Sequence, residues 1–522
     1  MTKLVFYDVS QFDSYSNIKI KFNKLKEENL IFYLDETQIE KKGYANYLSV
    51  VRDPDSNKIY LYYSNDTKVP FMAKTCLAIS DDGITFKKET LNKHVYNKKT
   101  SNNILLDEKC LSNNLYVFYD TNPNTQLNQK WKGIGGLHIS WWYIKDNTSE
   151  NDLLRNILPK ISYINLKPSV LKTLSNSNDI YKLPHPAFER YRKAPSKGNV
   201  QDPDQTTMFL YIDPRIPDPT FRGNGIHLIT SHNGLEWNLN YNDKKPILSG
   251  IHDGHYDKLY ICSHYDCHPS CFYDPNTKDY KMYLRSNVDY GVRHIQITTS
   301  KDLINWSPLK YINFDPPFDI ERDNYYSANV MPYPEAKNLY IGFPPYFKNL
   351  SKNPKHSFIS LAFSKDGYNW HIKDRLIMPQ HIHKEKVSSF PASGLILSND
   401  KTEFYFYEHR YRSKIIPDKR PQMIRHSIRR DGFTSIESPN GYIIVEITIS
   451  KKILLNFKTN NDGYITISFA NKNNEIFYNS LHLTGNHLDY VIDDFNQSTY
   501  GEKGFLRINL YNAQLFCIDL VE

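Results

Sequence analysis

Five potential metal ligands cluster within ten residues of this chain. Cys262, Cys267 and Cys271 are interleaved with His264 and His268. Cysteine and histidine are the preferred ligands of Zn²⁺, but the spacing Cys-x4-Cys-x3-Cys matches no standard zinc module. Alternate residues of a strand also face opposite ways, so all five side chains could not reach one ion. We therefore expect buried, small side chains here, with no metal site and no cofactor.

The overall composition favours an ordinary solvated surface. The formal charge of +8 is spread over 522 residues as single lysines among Asn and Asp, and no nucleic-acid-binding motif is present. Six cysteines are too few for a disulfide scaffold. Residues 1–8 lack the apolar run of a secretory signal, and no stretch is long enough to span a bilayer. We expect an intracellular or virion-associated protein with no nucleic-acid or membrane partner. The oligomeric state stays open.

Four short phrases recur along the chain and predict the elements that position the reactive residues. All read Ser-x-[Asp/Asn]-[Gly/Leu]-x-x-aromatic and follow an alternating strand pattern: Ser80–Phe86, Ser231–Trp237, Ser300–Trp306 and Ser364–Trp370. The Asp-Gly or Asn-Gly pair supplies the positive-φ turn of a β-hairpin. The last three copies lie 69 and 64 residues apart, about the length of a propeller blade. The first gap, of 151 residues, must hold an insertion.

The predicted fold class is all-β, with strands rich in Tyr and Phe. We expect an N-terminal extension over residues 1–28, a five-bladed β-propeller over 29–430 with an insertion at about 140–222, and a C-terminal β-sandwich over 431–522. Blade one is expected to start through residues 30–40. After Phe433 the repeat phrase stops and short strands of high β propensity follow, which is typical of a separate sandwich.

Several segments, in colinear order, resemble bacterial proteins similar to the N-terminal domain of glycoside hydrolase family 32. The segments are Asp120–Pro123 with Lys132-Gly133, Tyr265–Pro275, Tyr280–Arg285, Gly291–Ile295, Ser300–Trp306, Tyr326–Tyr333, Leu339–Pro344 and Arg430–Phe433. This resemblance implies membership of the five-bladed propeller glycosidases and a carbohydrate substrate, without naming the sugar.

Glycosidic bond cleavage asks for two carboxyl groups that flank the bond. In a propeller, the inner strand of each blade points its first residues into the axial funnel, and the resemblance implies acids there in the first three blades. Asp266 is the best match, eight residues before Asp274. Asp120 is the second candidate, with an Asx turn as the alternative. For blade one we expect Glu40; Asp35 competes with it, and a surface position is the alternative for both.

Five further residues are candidates for substrate binding. Arg285 and Arg293 would hold an anionic substrate or a carboxylate, with ordinary surface charge as the alternative. Asp323 and Glu408 stand at predicted strand entrances, where they could bind sugar hydroxyls. Tyr326 could stack on a pyranose ring.

The expected function is therefore glycoside hydrolysis on an oligosaccharide or glycoconjugate. A non-catalytic glycan-binding protein is the first alternative, because blade one lacks a clear acid and Cys267-His268-Pro269 departs from the polar sequence expected there. A glycoside phosphorylase is the second, and would need a basic cluster to which His255 and His264 could contribute, together with the two arginines.

Overall fold

The computed structural model of this chain is built almost wholly of antiparallel sheets. Its described 3-10 turns are Val9–Gln11 and Leu127–Gln129. No helix in the part of the chain that the structure describes is long and apolar enough to cross a membrane. The described residues are 2–37, 39–40, 43–67, 73–108, 111–112, 114–136, 141–145, 206–210, 225–239, 247–249, 267–289, 292–319, 323–337, 339–347, 357–377, 387–412, 420–471, 476–493 and 500–521.

The N-terminal residues are strands of two sheets that are completed near the other end of the chain. The strands are β1 (Thr2–Val5), β2 (Ser14–Ser16), β3 (Lys19–Phe22) and β4 (Lys26–Tyr33). The first three pair with residues 517–520, 442–444 and 434–437, and β4 pairs with residues 422–427. Residues 1–28, predicted as an extension, thus contribute strands to these two sheets. These strands are short and mostly polar, so they carry little hydrophobic alternation.

Blades one and two follow in order. Blade one is β5 (Gly43–Arg52), β6 (Ile59–Thr67), β7 (Lys74–Ser80) and β8 (Ile104–Leu106). Blade two begins with β9 (Tyr116–Tyr119) and β10 (Trp131–Gly135). The paired strands β11 (Trp141–Lys145) and β12 (Thr206–Leu210) then lie in the predicted insertion. The blade is completed by β13 (Gly225–Ser231), β14 (Trp237–Asn238) and β15 (Leu248–Ser249). The insertion therefore separates the second and third strands of blade two.

Blades three and four lie beyond it. Blade three is β16 (Ser270–Asp274), β17 (Asp279–Asp289), β18 (Val292–Ser300) and β19 (Lys310–Tyr311). Blade four is β20 (Asn313–Asp315), β21 (Val330–Pro332), β22 (Tyr340–Gly342), β23 (Pro345–Phe347), β24 (Ser357–Ser364) and β25 (Asn369–Ile377). The strand β20 pairs parallel to β25 at the outer edge.

Blade five closes the ring with a strand from the N-terminus. It is β26 (Val387–Pro391), β27 (Ile396–Leu397), β28 (Glu403–Arg412) and β29 (Gln422–Arg429), with β4 hydrogen-bonded to β29. The segment 30–33, expected to lead into blade one, is thus part of the outermost strand of blade five. The five predicted blades are confirmed.

The C-terminal region forms an eight-stranded sheet. Its strands are β30 (Thr434–Thr448), β31 (Lys452–Asn471), β32 (Ile476–Asn479), β33 (Asn486–Ile492) and β34 (Lys503–Val521), joined by β1, β2 and β3. The three long strands are β30, β31 and β34. Register shifts interrupt the pairing of β31 with β34. Side chains from both halves of β31, such as Leu455 and Ile467, belong to one buried cluster. The sheet therefore folds over its own core, consistent with the predicted sandwich.

The four repeated phrases form the predicted tight turns. Gly83, Gly234 and Gly367 have φ of 76°, 74° and 81°, and Leu303 takes the same position with φ of 65°. In the first copy, Asp82 Oδ1 accepts hydrogen bonds from the backbone N–H groups of Ile84 and Thr85, at 2.8 and 3.0 Å. Serine and aspartate thus hold the turn through local side-chain bonds, as their types predict.

Three of these turns also join neighbouring blades. Tyr407 Oη of blade five donates to the Gly83 carbonyl of blade one at 2.7 Å. The corresponding bonds run from Tyr62 to Gly234 and from Tyr283 to Gly367, at 3.1 and 2.8 Å. All three tyrosines are fully buried, so each bond replaces one that the phenol makes with water in the unfolded chain. Tyrosine is needed at these positions because its ring fills the interface while its hydroxyl reaches the turn.

Candidate functional site

A buried histidine lies where the inner strands of the blades meet. His268 Nε2 is 3.1 Å from Ser49 Oγ of blade one and 3.2 Å from the Leu115 carbonyl oxygen of blade two. Its Nδ1 is 3.0 Å from Ser393 Oγ of blade five, and the same hydroxyl oxygen lies 2.6 Å from Asn329 Oδ1 of blade four. These residues, here called the axial hub, connect all five blades.

The imidazole of the axial hub is neutral at physiological pH. Burial lowers the pKa of His268 to about 4, against a smaller raising effect of its bond with the Leu115 carbonyl. Because a carbonyl only accepts hydrogen bonds, Nε2 is the nitrogen that carries the proton. The hub therefore forms an uncharged polar floor to the funnel.

Two tyrosines meet above this floor, closer to the starts of the inner strands. Tyr47 Oη of blade one lies 3.0 Å from Tyr326 Oη of blade four. The Tyr47 ring also packs 5.8 Å from the His268 ring, centroid to centroid. Tyr47 has φ of 47°, and the pairing of β5 with β6 shifts register between Asn46 and Ser49. A β-bulge thus turns this side chain toward the axis.

Two arginines of blade three lie over the Tyr326 ring. The guanidinium carbons of Arg285 and Arg293 are 5.0 and 5.5 Å from its centroid, which is cation–π distance. Arg285 pairs with Ile295 and Arg293 with Asn287, so both arginines lie on the same face of the sheet as diagonal neighbours. The arginines, Tyr47, Tyr326 and Phe390 are called the axial site below.

Blade five supplies the remaining wall. The Phe390 ring contacts Tyr326 edge to face at 5.5 Å and lies 6.2 Å from the His409 ring. Burial lowers the pKa of His409 to about 3, so this imidazole is also neutral. The axial site thus combines three aromatic rings with two guanidinium groups.

Glu408, predicted to bind substrate, is instead the centre of a buried ion cluster within blade five. It is fully buried and accepts hydrogen bonds from Ser389 Oγ at 2.5 Å and Arg410 Nη2 at 2.6 Å. His426 Nε2 lies 2.9 Å from Glu408 Oε2, the same oxygen that Arg410 Nη2 binds. Hydrogen bonds from His426 and Arg410 outweigh burial and lower the pKa of Glu408 to about 2. Its substrate-binding role stays a prediction, and the cluster accounts for its burial.

Asp120 lies at the far end of its strand from the axial site. The strand Tyr116–Tyr119 ends just before it, and its carboxylate accepts bonds from the Asn122 N–H, Thr125 Oγ1 and Tyr280 Oη, at 2.9, 2.7 and 2.8 Å. Asp274 holds the equivalent turn of blade three, through Asn276 N–H and Thr277 Oγ1. The arrangement matches the Asx turn that was the alternative for Asp120.

Glu40 is also held away from the inner strands. It is fully buried; its oxygens accept bonds from Tyr63 Oη at 2.7 Å and from the backbone of Thr37 at 3.0 Å, and Lys88 Nζ lies 3.0 Å away. Lys88 in turn lies over the ring of Phe32 on β4. Glu40 therefore joins blade one to the closing strand of blade five. The competing Asp35 binds Arg420 at 2.7 Å.

The remaining predicted residues divide between the funnel and the undescribed part of the chain. Asp323 is buried, and its carboxylate accepts from the Asp319 N–H at 2.8 Å. Asp266 lies outside the described residues, as do His255, His264 and Cys262. The structure thus brings Tyr326, Arg285 and Arg293 together, and does not bring Asp120, Glu40 or Glu408 to them.

Two cysteines of the Cys262–Cys271 cluster are among the described residues, and both are packed inside the propeller. Cys267 and Cys271 are buried; Cys267 Sγ accepts from the Arg285 N–H at 3.3 Å, and Cys271 belongs to the core shared by blades two and three. A different group with metal-ligand chemistry, Asp431, Cys517 and Asp519, occurs among the described residues. There the Lys3 ammonium lies 2.8 and 2.9 Å from the two carboxylates and provides the positive charge.

Tyr47, Ser49 and Ser393 were not predicted from the sequence as members of the site. No sequence feature distinguishes a serine on an inner strand from other serines, and a single tyrosine carries little information in a chain with 40 of them. The available signal is positional, because Tyr47 and Ser49 both lie on β5, the first strand of blade one.

No family model matches this chain, and no curated protein is significantly similar to it. The solved structures similar to it include glycoside hydrolases. One is a GH32 β-fructofuranosidase of Bombyx mori, with 8% identity and a TM-score of 0.39 over 95% of this chain and 94% of that chain. Another is the GH93 α-L-arabinofuranosidase of Fusarium graminearum in complex with arabinobiose, with 8% identity and a TM-score of 0.38 over 78% and 98%.

A third similar structure belongs to the GH130 family of mannoside phosphorylases, which contains glycoside hydrolases that target β-1,2 mannosidic linkages in Candida mannan. It has 13% identity and a TM-score of 0.36 over 78% of this chain and 94% of that chain. At these identities and TM-scores the similarity gives no information about the chemistry of the axial site, which has to be argued from its own residues.

Proposed function

We propose that this chain is a glycoside hydrolase that acts on an oligosaccharide or glycoconjugate in the axial funnel of its propeller. The observation that supports this most is the convergence of Tyr47, Tyr326 and Phe390 with Arg285 and Arg293 where inner strands begin. Ligand sites combine aromatic walls with a small number of placed polar groups. The arginines offer planar donors suited to hydroxyl or carboxylate oxygens.

Asp266 is the proposed catalytic carboxylate. It directly precedes Cys267 and His268, and His268 lies at the axis. Asp120 and Glu40 are weaker candidates than the sequence suggested, because each carboxylate already accepts hydrogen bonds at a distance from the inner-strand starts.

A non-catalytic glycan-binding protein is the second candidate. The occupied carboxylates of Asp120, Glu40 and Glu408 favour it, since a site that lost one of two catalytic acids would bind a sugar without cleaving it.

A parallel screen of the purified protein on a glycan array and a panel of aryl glycosides, with and without phosphate, tests these functions. Turnover that needs no phosphate supports the hydrolase, and turnover that requires phosphate would instead indicate a phosphorylase. Binding without turnover would establish the glycan-binding protein. On an identified substrate, Asp266→Asn should abolish turnover and the exposed Asp81→Asn should not; full activity of Asp266→Asn would exclude that carboxylate from the chemistry.

A further inference from the structure

The only side chains with exchangeable acidic protons that meet in the described part of the axial site are two phenols. Tyr47 Oη and Tyr326 Oη are 3.0 Å apart, and both residues are partly exposed. Most glycoside hydrolases use carboxyl groups, but tyrosine replaces one of them in a minority of families. A phenol at this position can therefore take a chemical role.

We propose that Tyr326, hydrogen-bonded to Tyr47, is the proton donor of the axial site. This rests on the proposed function. As the glycosidic C–O bond breaks, its electron pair stays on the leaving oxygen, which takes the proton from Tyr326 Oη. Water adds to the sugar carbon, and the proton that the water loses restores the phenol. The reaction consumes one water and leaves the enzyme unchanged.

The surroundings of Tyr326 stabilise the phenolate that proton donation leaves behind. Arg285 and Arg293 place two positive charges over its ring, and an opposite charge at this range favours the ionised form. Tyr47 Oη can donate a hydrogen bond to the phenolate oxygen.

The other groups around Tyr326 are compatible with this charge balance. Phe390 is apolar, and His409 behind it and His268 beneath Tyr47 have pKa values lowered to about 3 and about 4, so they stay neutral. Asp323 lies on the same segment as Tyr326, and its carboxylate accepts a bond from the Asp319 N–H. Among the described residues, two cations, one on β17 and one on β18, therefore lie over the Tyr326 ring.

The backbone at Tyr47 provides an independent indication of function. A tyrosine at φ of 47° is strained, because its Cβ crowds the backbone in the left-handed region. Such strain is kept where the surrounding structure fixes it and is concentrated at functional sites. Here it directs the Tyr47 hydroxyl onto Tyr326.

The first test needs no substrate. A spectrophotometric pH titration follows phenolate absorbance in the whole protein, in Tyr326→Phe and in Arg293→Gln. We expect one phenol to ionise ahead of the others, to be missing in Tyr326→Phe, and to ionise at higher pH in Arg293→Gln. The control is Tyr442→Phe, which removes a phenol beneath the single Arg507 at 4.2 Å and should leave the early step unchanged. Identical early titration in wild type and Tyr326→Phe would overturn the proposal.

The second test uses leaving groups on whichever aryl glycoside the protein cleaves. Loss of a general acid costs about 10²- to 10⁴-fold when the leaving oxygen needs a proton. Tyr326→Phe should show that loss on a poor leaving group and almost none on a strongly acidic phenol. An equal loss on both would mean a structural role and would overturn proton donation. If no glycoside is cleaved, the hydrolase fails and proton donation with it, while the titration still decides whether the phenol is acidic.

Discussion

His268 Nδ1 lies 3.0 Å from Ser393 Oγ, so a hydrogen bond joins blade three to blade five across the propeller axis. The opposite ring nitrogen contacts Ser49 and the Leu115 carbonyl, in blades one and two. A single imidazole therefore satisfies polar groups from three other blades. Removing the His268 imidazole therefore affects the centre of the propeller and leaves the outer contacts between neighbouring blades in place.

We expect His268→Ala to lower the free energy of unfolding by about 3 kcal/mol, because it leaves buried hydroxyl and carbonyl groups without a partner and opens a cavity. Denaturant-induced unfolding, followed by tryptophan fluorescence, measures this change. The control is His232→Ala, at an exposed turn of blade two, with an expected change within about 0.5 kcal/mol. Equal stabilities of the two variants would contradict a structural role for the axial hub.

Stability should fall as the pH is lowered from about 6.5 to about 4. The pKa of His268 is lowered from 6.5 to about 4 by burial, and those of His294 and His409 to about 4 and about 3. Between these values the unfolded chain binds more protons than the folded one, so acid favours unfolding. His268 alone contributes on the order of 3 kcal/mol by pH 4. Urea midpoints across this range measure the effect, and His268→Ala should show a shallower dependence.

Gly83→Ala should destabilise the protein by more than Gly501→Ala. Both glycines have positive φ, of 76° and 85°, so both substitutions carry the same backbone strain. A Cβ at position 83 would lie 2.8 Å from Tyr407 Oη, whereas nothing lies within 4 Å of one at position 501. We expect about 1 kcal/mol for Gly501→Ala, and about 1 kcal/mol or more in addition for Gly83→Ala. Thermal unfolding of both variants gives the difference in stability. Equal melting temperatures would show that the contact between Tyr407 and the Gly83 turn does not contribute to stability.

Glu408→Gln should cost about 3–5 kcal/mol, because it leaves the buried Arg410 without its full counter-charge. The control is Glu437→Gln, which removes a partly exposed pair with Lys21 and should change stability by about 1 kcal/mol or less. Chemical unfolding measures both. A stable Glu408→Gln protein with lost sugar binding would instead support the substrate-binding role predicted from the sequence.

The repeated turns could be predicted because their determinants are local. Ser80, Asp82 and Gly83 form their hydrogen bonds and positive φ within four residues, so composition and order suffice. The same is true of the blade count, which follows from the spacing of these phrases. Tyr326, Arg285 and Arg293 were also predicted as substrate-binding candidates from the sequence, and the structure brings these three side chains together.

The surroundings of Asp120 and Glu40 could not be predicted from the sequence, because they depend on contacts between distant residues. A shift of a few residues in the limits of β9 decides whether Asp120 begins or ends an inner strand, and Tyr280, 160 residues away, fixes its carboxylate. Glu40 depends on the closing strand β4, whose pairing with β29 spans nearly the whole chain. Tyr47 needs a register shift that no local pattern indicates.

The hydrogen bonding of β4 to β29 also determines when this protein can finish folding. Residues 26–33 leave the ribosome about four hundred residues before their partners at 422–427 are made. The same delay applies to β1, which waits for residues 517–520. Contacts so distant in sequence slow folding and prolong exposure of unpaired strand edges. In the nascent chain, the edges of β1 and β4 therefore need protection until these distant partners have been made.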